Sequence, residues 1–495
     1  NSARSCGTPI QIMRTTDFET LKKLQNLASD ADPTSSIDFT RNQQRLYELI
    51  ESAAKRRASD IHLKIDQEAA HLYLTIKGDF IYLNDMQREE ADSLMIAAFN
   101  ACKTGDKQYN PLKFRATRLD NSPDFVLPRG VQSLRLQFSP LDNAGRELVA
   151  RLLYMSGDDD LKDVDSLGYE PPQIDALHIM RRQAYGIILI SGPTGSGKST
   201  TLKTALERTW LERKGRAKLV SIEDPPEFAI RGCSQLPIES GANLEEKAEA
   251  FTRAMSATLR MAPHIIMVGE IREAIAAKLT FDAAKTGHLV WTSVHANTAL
   301  DTINRLADMH VRRVDLEDPK LMRGLIAQRL VKIVCPHCSL PFRDAVSRNV
   351  VDLHGGTDRR AEDPGVDPWL IDFYKGLGPA LTGNIRLARN NGCEHCRDSE
   401  GKSTGHIGRR VIAETVVPTD SLLKAAVSGH VADARAEWLA PPGAFTMLEH
   451  GLFRVLSGEV DPRDLTYAGD VTRDIDVARI GALIELLTQD RGGRR

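Results

Sequence analysis

The chain has 495 residues, enough for about three domains with a core in each. Its 65 Lys and Arg are matched by 67 Asp and Glu, a net charge of −2 that excludes a basic field drawing it to nucleic acid or anionic lipid. No stretch approaches 18 apolar residues, which excludes a transmembrane helix, and Arg14–Ala31 lacks the apolar centre of a signal peptide. Residues 1–40 mix Thr, Ser, Asp and Pro without sustained periodicity and are predicted to be a tail or linker. The first residue is Asn1 rather than Met, so a natural N-terminus elsewhere is expected. From Arg41 to Arg57, Leu46, Ile50, Ala53 and Ala54 share one helical face. Ile61–Lys64 and His71–Ile76 then alternate as short strands, Lys77-Gly78-Asp79 turns the chain, and Phe80–Leu83 returns. These predict a small α+β domain over residues 41–156. The acidic run Gly157–Asp160 and Pro171-Pro172 mark a linker over 157–173; a charge run of this kind is most often a solvated spacer. Over residues 174–334 apolar strands (Gly186–Ile190, Lys218–Ile222, His264–Val268, His288–Val294) alternate with helices, which predicts a parallel sheet covered on both faces. Residues 335–410 carry two C-x-x-C pairs around a loop-rich stretch. Residues 411–495 are expected to be a helical region, with Leu422–Leu456 helical apart from a break at Pro441-Pro442-Gly443. The fold class is α/β.

The most specific motif follows the first of those strands. Gly192-Pro193-Thr194-Gly195-Ser196-Gly197-Lys198-Ser199-Thr200 has the pattern G-x-x-x-x-G-K-[ST]. Its glycines let the backbone curl with N–H groups pointing onto phosphate oxygens, Lys198 reaches the β and γ phosphates, and the Ser199 hydroxyl suits Mg²⁺. Leu202, Ala205, Leu206 and Trp210 then share a helical face, so the loop opens a packed helix whose N-terminus favours an anion. ATP and Mg²⁺ are the implied ligands.

Hydrolysis of a β/γ bond also needs a metal holder and a group that orients water. Three strand ends offer them. One delivers Glu223-Asp224-Pro225-Pro226-Glu227, a second Gly269-Glu270, where the glycine is expected to permit close approach, and a third Thr286-Gly287-His288 with Ser293, His295 and Asn297 beyond. Each alone has a bland reading, as a capping acid, a turn acid or a core histidine. Three such blocks behind one phosphate loop favour chemistry.

Cys335-Pro336-His337-Cys338 and Cys393-Glu394-His395-Cys396 supply four soft thiolates, the ligand set of a tetrahedral structural Zn²⁺. A redox dithiol needs one such pair, not two. His337 and His395 lie inside the knuckles, yet four Cys already close the shell. The remaining cysteines, Cys6, Cys102 and Cys233, are scattered singles, as expected in the reducing cytoplasm.

ASDIHL (Ala58–Leu63), GPTGSGKSTT, IEDPPE (Ile222–Glu227), MVGEIRE (Met267–Glu273), TGHLVWTSVHANTA (Thr286–Ala299) and QRLVKIVCPHC (Gln328–Cys338) resemble the successive signatures of the type II secretion and type IV pilus assembly ATPases. The resemblance runs from about Arg41 to Leu456. It implies a homohexameric cytoplasmic motor whose RecA-like P-loop ATPase domain is preceded by a smaller domain. Such a motor works an inner-membrane platform protein that adds pilins or pseudopilins to a fibre, and is peripheral to the membrane through that partner. By position, Glu223, Asp224 and Glu227 form the aspartate box, Glu270 is the Walker B carboxylate, and His288 and His295 belong to the histidine box that senses the γ-phosphate. Arg135 and Arg151 match arginines that the family swings over the nucleotide, where planar, permanently charged forks suit transferring phosphate. The tetracysteine insert (Cys335, Cys338, Cys393, Cys396) belongs to secretion and extension motors and is lacking in retraction motors; Gly405–Arg410 resembles the segment that follows it. Two positions depart from the family: His264 and Glu273 stand where it has Asp. Loss of the first is expected to remove a metal-shell carboxylate and slow turnover. The rival readings are a nucleic-acid translocase on a RecA-like core and a nucleotide-gated scaffold with little hydrolysis. Near-neutral charge and 5% aromatic residues count against the translocase, which needs a basic track and stacking platforms.

Overall fold

A capping box starts the first helix, Arg41–Lys55: Gln43 donates its N–H to the Thr40 hydroxyl, while the Gln43 side-chain oxygen accepts from the Thr40 N–H. The computed structural model describes residues 40–102, 109–155, 164–238, 244–342, 373–374, 376–389, 392–397, 404–468 and 476–493. The expected N-terminal tail, the acidic run after Ser156 and most of the stretch between the cysteine pairs lie outside them. The chain divides into two compact units, Asn1–Met155 and Ser156–Arg495.

In the first unit, strands β1 (Asp60–Ile65), β2 (Ala70–Ile76), β3 (Asp79–Met86), β4 (Arg115–Asp120), β5 (Val131–Pro140) and β6 (Arg146–Tyr154) form one antiparallel sheet in the order β3-β2-β1-β6-β5-β4. Lys77 (φ 52°) and Gly78 (φ 91°) form the β2–β3 turn, the pair of left-handed residues that matches strand twist in a two-residue hairpin. Alternation puts Leu63, Leu136 and Phe138 on the inner face, where Leu46 and Ile50 of the first helix and Met95 of helix Arg88–Ala101 complete a core.

The second unit is built on β7 (Gly186–Ser191), β8 (Leu219–Glu223), β9 (Cys233–Pro237), β10 (Ile265–Val268), β11 (Leu289–Val294) and β12 (Met322–Val334). The short pair β13 (Leu340–Pro341) and β14 (Arg386–Leu387) lies apart, and β15 (His406–Val416) closes the main sheet, ordered β15-β12-β7-β11-β10-β8-β9. Within the main sheet the described pairings are parallel except that of β15 with β12. Both faces of β7 are buried: Ile187 and Leu189 join one core with Val268 and Val290, Ile188 and Ile190 another with Leu202 and Leu206 of helix Lys198–Glu212. Each such side chain contributes roughly 1.5–3 kcal/mol on burial. Apart from β15 the sheet is parallel, and it is covered on both faces, as the apolar runs predict.

The C-terminal region is helical over Asp420–Val427, Val431–Leu439, Met447–Leu456, Pro462–Ala468 and Val477–Gly493, but residues 411–416, expected to belong to it, are the end of β15, drawn into the sheet by pairing with β12. It has a second interruption that the sequence reading lacks: Gly429 turns left-handed (φ 85°), and the next N–H, of His430, closes back on the Ala425 carbonyl. A buried ionic cluster joins this region to the sheet. Arg454, 1% exposed, donates to Glu170 (3.0 Å), Glu459 and the Gly168 carbonyl. Fully buried His450 accepts the Ala413 N–H on Nδ1 at 3.0 Å, and burial, then the Arg454 charge, pulls its pKa down to about 4. The native state therefore holds this ring neutral where the unfolded chain takes up a proton, so stability is lost as pH falls from about 6.5 towards 4. His450→Asn keeps an acceptor without a titrating site, and its thermal midpoint is expected to fall less steeply over that window; equal slopes would contradict this.

Candidate active site

β7 ends at buried Ser191 and releases the phosphate loop, which turns at once into helix Lys198–Glu212. A side chain at Gly192 (φ 148°) would bring its Cβ to 2.4 Å from the Gln328 carbonyl oxygen, so only glycine fits there. Gly197 (φ 86°) caps the helix without a side-chain bond, which leaves first-turn N–H groups to an anion at the loop mouth. Lys198 folds over the loop, its Nζ donating to the Gly192 carbonyl at 2.7 Å and to that of Pro193 at 3.1 Å. Burial lowers its pKa, while the nearby Glu270 and Glu227 carboxylates push it back up. Pro193, Thr194 and Gly195 are exposed, Ser196 is buried, and Ser199 and Thr200 are half-buried in the first turn.

Parallel register brings the ends of β8, β10 and β11 to the same edge as this loop. Glu270, just beyond β10, is held from two sides: Arg272 donates its Nε to Oε2 at 2.6 Å, and His295 Nε2, beyond β11, lies 2.5 Å from Oε1. The Ser293 hydroxyl donates to the Gly269 carbonyl at 2.7 Å and ties the two strand ends together. A Cβ on Gly269 would sit at an ordinary 3.5 Å from Glu223 and Ile222, so close approach does not demand glycine there, contrary to expectation. In the acidic turn, Glu223 faces inward, 7% exposed, and accepts from the Ser221 hydroxyl (2.6 Å) and the Gln235 amide (2.8 Å). Asp224 is exposed and Glu227 half-buried.

Two sequence readings change here. His288 precedes β11 at the edge where β7 begins, and its Nδ1 lies 3.0 Å from the Ala283 carbonyl, so a whole strand separates it from His295 and Glu270. His264 likewise precedes β10, and its Nδ1 accepts the Lys218 N–H at 3.1 Å, at the end opposite Glu270. An Asp at position 264 would not reach a metal at the loop, and the expected slowing loses its basis. Glu273 is the N-cap of helix Ala274–Lys285, with no side-chain cap bond. Arg272, a partner of Glu270, was not singled out in the sequence, although it lies two residues along in the same MVGEIRE block.

In the first unit, register places Arg118, Arg135 and Arg151 side by side across β4, β5 and β6, with Asp60 next in the row. Like charges directly opposite are unfavourable, and acids temper them: Asp60 accepts from Arg151 Nε at 2.8 Å and Asp120 from Arg118 Nε at 2.8 Å. The sulfurs of Cys335, Cys338, Cys393 and Cys396 all lie within 4.8 Å of one another, with Cys335–Cys393 and Cys338–Cys396 at 3.8 Å. Four thiolates at about 2.3 Å from a tetrahedral Zn²⁺ would stand about 3.8 Å apart, so the donors fit that ion. His337 and His395 stack on each other, ring centres 3.9 Å apart.

Residues 38–466 match the family described as type II/IV secretion system protein. The chain belongs to that family. It is 32% identical over 423 residues to the type IV pilus assembly ATPase PilB of Thermus thermophilus, covering 85% of this chain and 42% of that one. It is 29% identical over 411 residues to the type II secretion system protein E of Dickeya dadantii, covering 83% and 72%. The chain thus spans less than half of the first of these relatives. Its α/β fold is shared with the solved structure of the pilus retraction motor PilT with bound ADP (TM-score 0.55, 20% identity, 88% of this chain and 99% of that chain). It is also shared with the ATPase DotB of Legionella pneumophila (TM-score 0.53, 18% identity, 88% and 97%). Among the described residues of this family member, no helix is long and apolar enough to cross a membrane.

Proposed function

We propose that the chain is an ATP-hydrolysing subunit of a homohexameric motor that drives pilin or pseudopilin assembly through an inner-membrane platform protein, to which it binds from the cytoplasm. The observation that carries this reading is the convergence of Glu270, His295 and Arg272 at the strand ends beside Lys198. Bound ATP with Mg²⁺ supplies the phosphoanhydride and a divalent charge. The loop N–H groups and Lys198 grip phosphate oxygens, Ser199 offers its hydroxyl to the metal, and Asp224 and Glu227 add carboxylates at the mouth. Glu270 orients the attacking water and accepts its proton, with His295 and Arg272 fixing the carboxylate. Glu223 supports the acidic turn from within, and His288 holds the start of β11. Arg135 and Arg151 are carried over from the family resemblance as fixed positive charges for the nucleotide, and Cys335, Cys338, Cys393 and Cys396 hold a structural Zn²⁺.

The net charge of −2 disfavours the translocase. ATP turnover is expected to rise with the cytoplasmic part of a platform membrane protein and to stay unchanged with DNA. Stimulation by DNA and indifference to the platform fragment would reverse the assignment.

A further inference from the structure

We infer that Gln328, on β12, is the positioning residue of the phosphate loop, setting the direction in which the Gly197 N–H points; this rests on the nucleotide reading above. Gln328 is 0% exposed, and a buried primary amide must find partners for both its oxygen and its nitrogen. Its Oε1 accepts from the Tyr169 hydroxyl at 2.6 Å and the Thr201 hydroxyl at 2.9 Å, while its Nε2 donates to the Ser196 carbonyl at 2.8 Å. The carbonyl can only accept, which fixes the orientation of the amide. Two hydroxyls from outside the loop thus clamp the group that clamps the loop.

The consequence follows from peptide geometry. In a planar trans peptide the C=O and the next N–H point in opposite directions. Drawing the Ser196 carbonyl down onto Gln328 therefore turns the Gly197 N–H up, towards the loop mouth where a phosphate oxygen would sit. Both bounding glycines rest on the same residue: a Cβ at Gly192 would be 2.4 Å from the Gln328 carbonyl, and one at Gly197 would be 3.2 Å from its Nε2. The strand pairing supports this placement, since Ala327 lies opposite Ser191 and Gln328 follows as the loop begins. Gln328 touches no reacting atom; it acts through the loop.

The test uses the full chain with ADP and Mg²⁺ as the probe. Gln328→Met keeps the volume and removes both bonding functions. Gln328→Leu likewise removes both, in a branched apolar side chain. Each is expected to weaken ADP affinity about tenfold, the worth of one or two such bonds. Thermal midpoints of the nucleotide-free proteins are read in parallel, because a role confined to folding would lower the midpoint and leave the Kd of the folded protein unchanged. Wild-type Kd in a folded Gln328 variant would overturn the inference. If neither variant folds, Tyr169→Phe, which removes a single hydroxyl from Oε1, is expected to bind ADP about threefold more weakly, and unchanged affinity overturns it. A wild-type chain that does not bind ADP would overturn the nucleotide reading itself, an outcome distinct from wild-type binding with indifferent variants.

Discussion

Replacing Cys335 by Ser, or stripping metal with a strong chelator, is expected to empty the four-cysteine site and expose the surrounding segment to protease. The four sulfurs stand at the spacing of a tetrahedral thiolate site, and burial pushes the Cys335 and Cys338 thiols up, Cys338 also through its cysteine neighbours. A dication is what makes four clustered thiolates tolerable. The pairing beside it is slight: β13 and β14 are two residues each. Structural zinc supplies about 10–16 kcal/mol in small zinc-finger peptides, more than so short a ladder can replace. The effect should reach the edge of the main sheet. Cys335 donates its N–H to the Gly405 carbonyl at 2.8 Å and Val334 to that of Glu459 at 2.9 Å, so the end of β12 is tied to the residue before β15 and to the turn after helix Met447–Leu456. Metal analysis of the purified protein should give roughly one zinc per chain, falling to near zero in Cys335→Ser. Full zinc content in the variant, with an unchanged protease pattern, would refute the site.

How much of this was legible in the sequence depends on how local each feature is. The phosphate loop, the strand before it and the helix after it are contiguous, and the pattern of Gly, Lys and Ser specifies them almost residue by residue. The cysteine pairs are similar, because thiolate chemistry allows few uses for four at such spacing. The strands β4 to β6 are less clear, since Arg118, Arg135 and Arg151 stand in one row across them, one to a strand, and carry no apolar signal. The histidine block shows where motif reading fails. His288 and His295 share one motif, yet a strand that connects them also holds them at opposite edges of the sheet, and proximity in sequence is then separation in space. His264 fails for the same reason on β10. Gln328 is the converse: 130 residues or so beyond the loop, it meets Ser196 only because β12 pairs with β7, and no local pattern announces that register.

Glu270→Gln is the second large effect. The substitution preserves volume and removes the charge that holds His295 and Arg272, and with it the capacity to accept a proton from water. Loss of a positioned general base typically costs 10²–10⁴ in rate, so turnover is expected to fall about 10²- to 10³-fold. Nucleotide affinity should hold, because Lys198 and the loop N–H groups remain and one negative charge near the phosphates is gone. The decisive measurement is steady-state phosphate release by wild type and Glu270→Gln at saturating ATP and Mg²⁺, with ADP affinity measured on both. A hydrolytic motor predicts a fall of about 10²-fold or more in kcat with Kd within about threefold; equal rates in the two proteins would contradict hydrolysis at Glu270 and favour a nucleotide-gated scaffold.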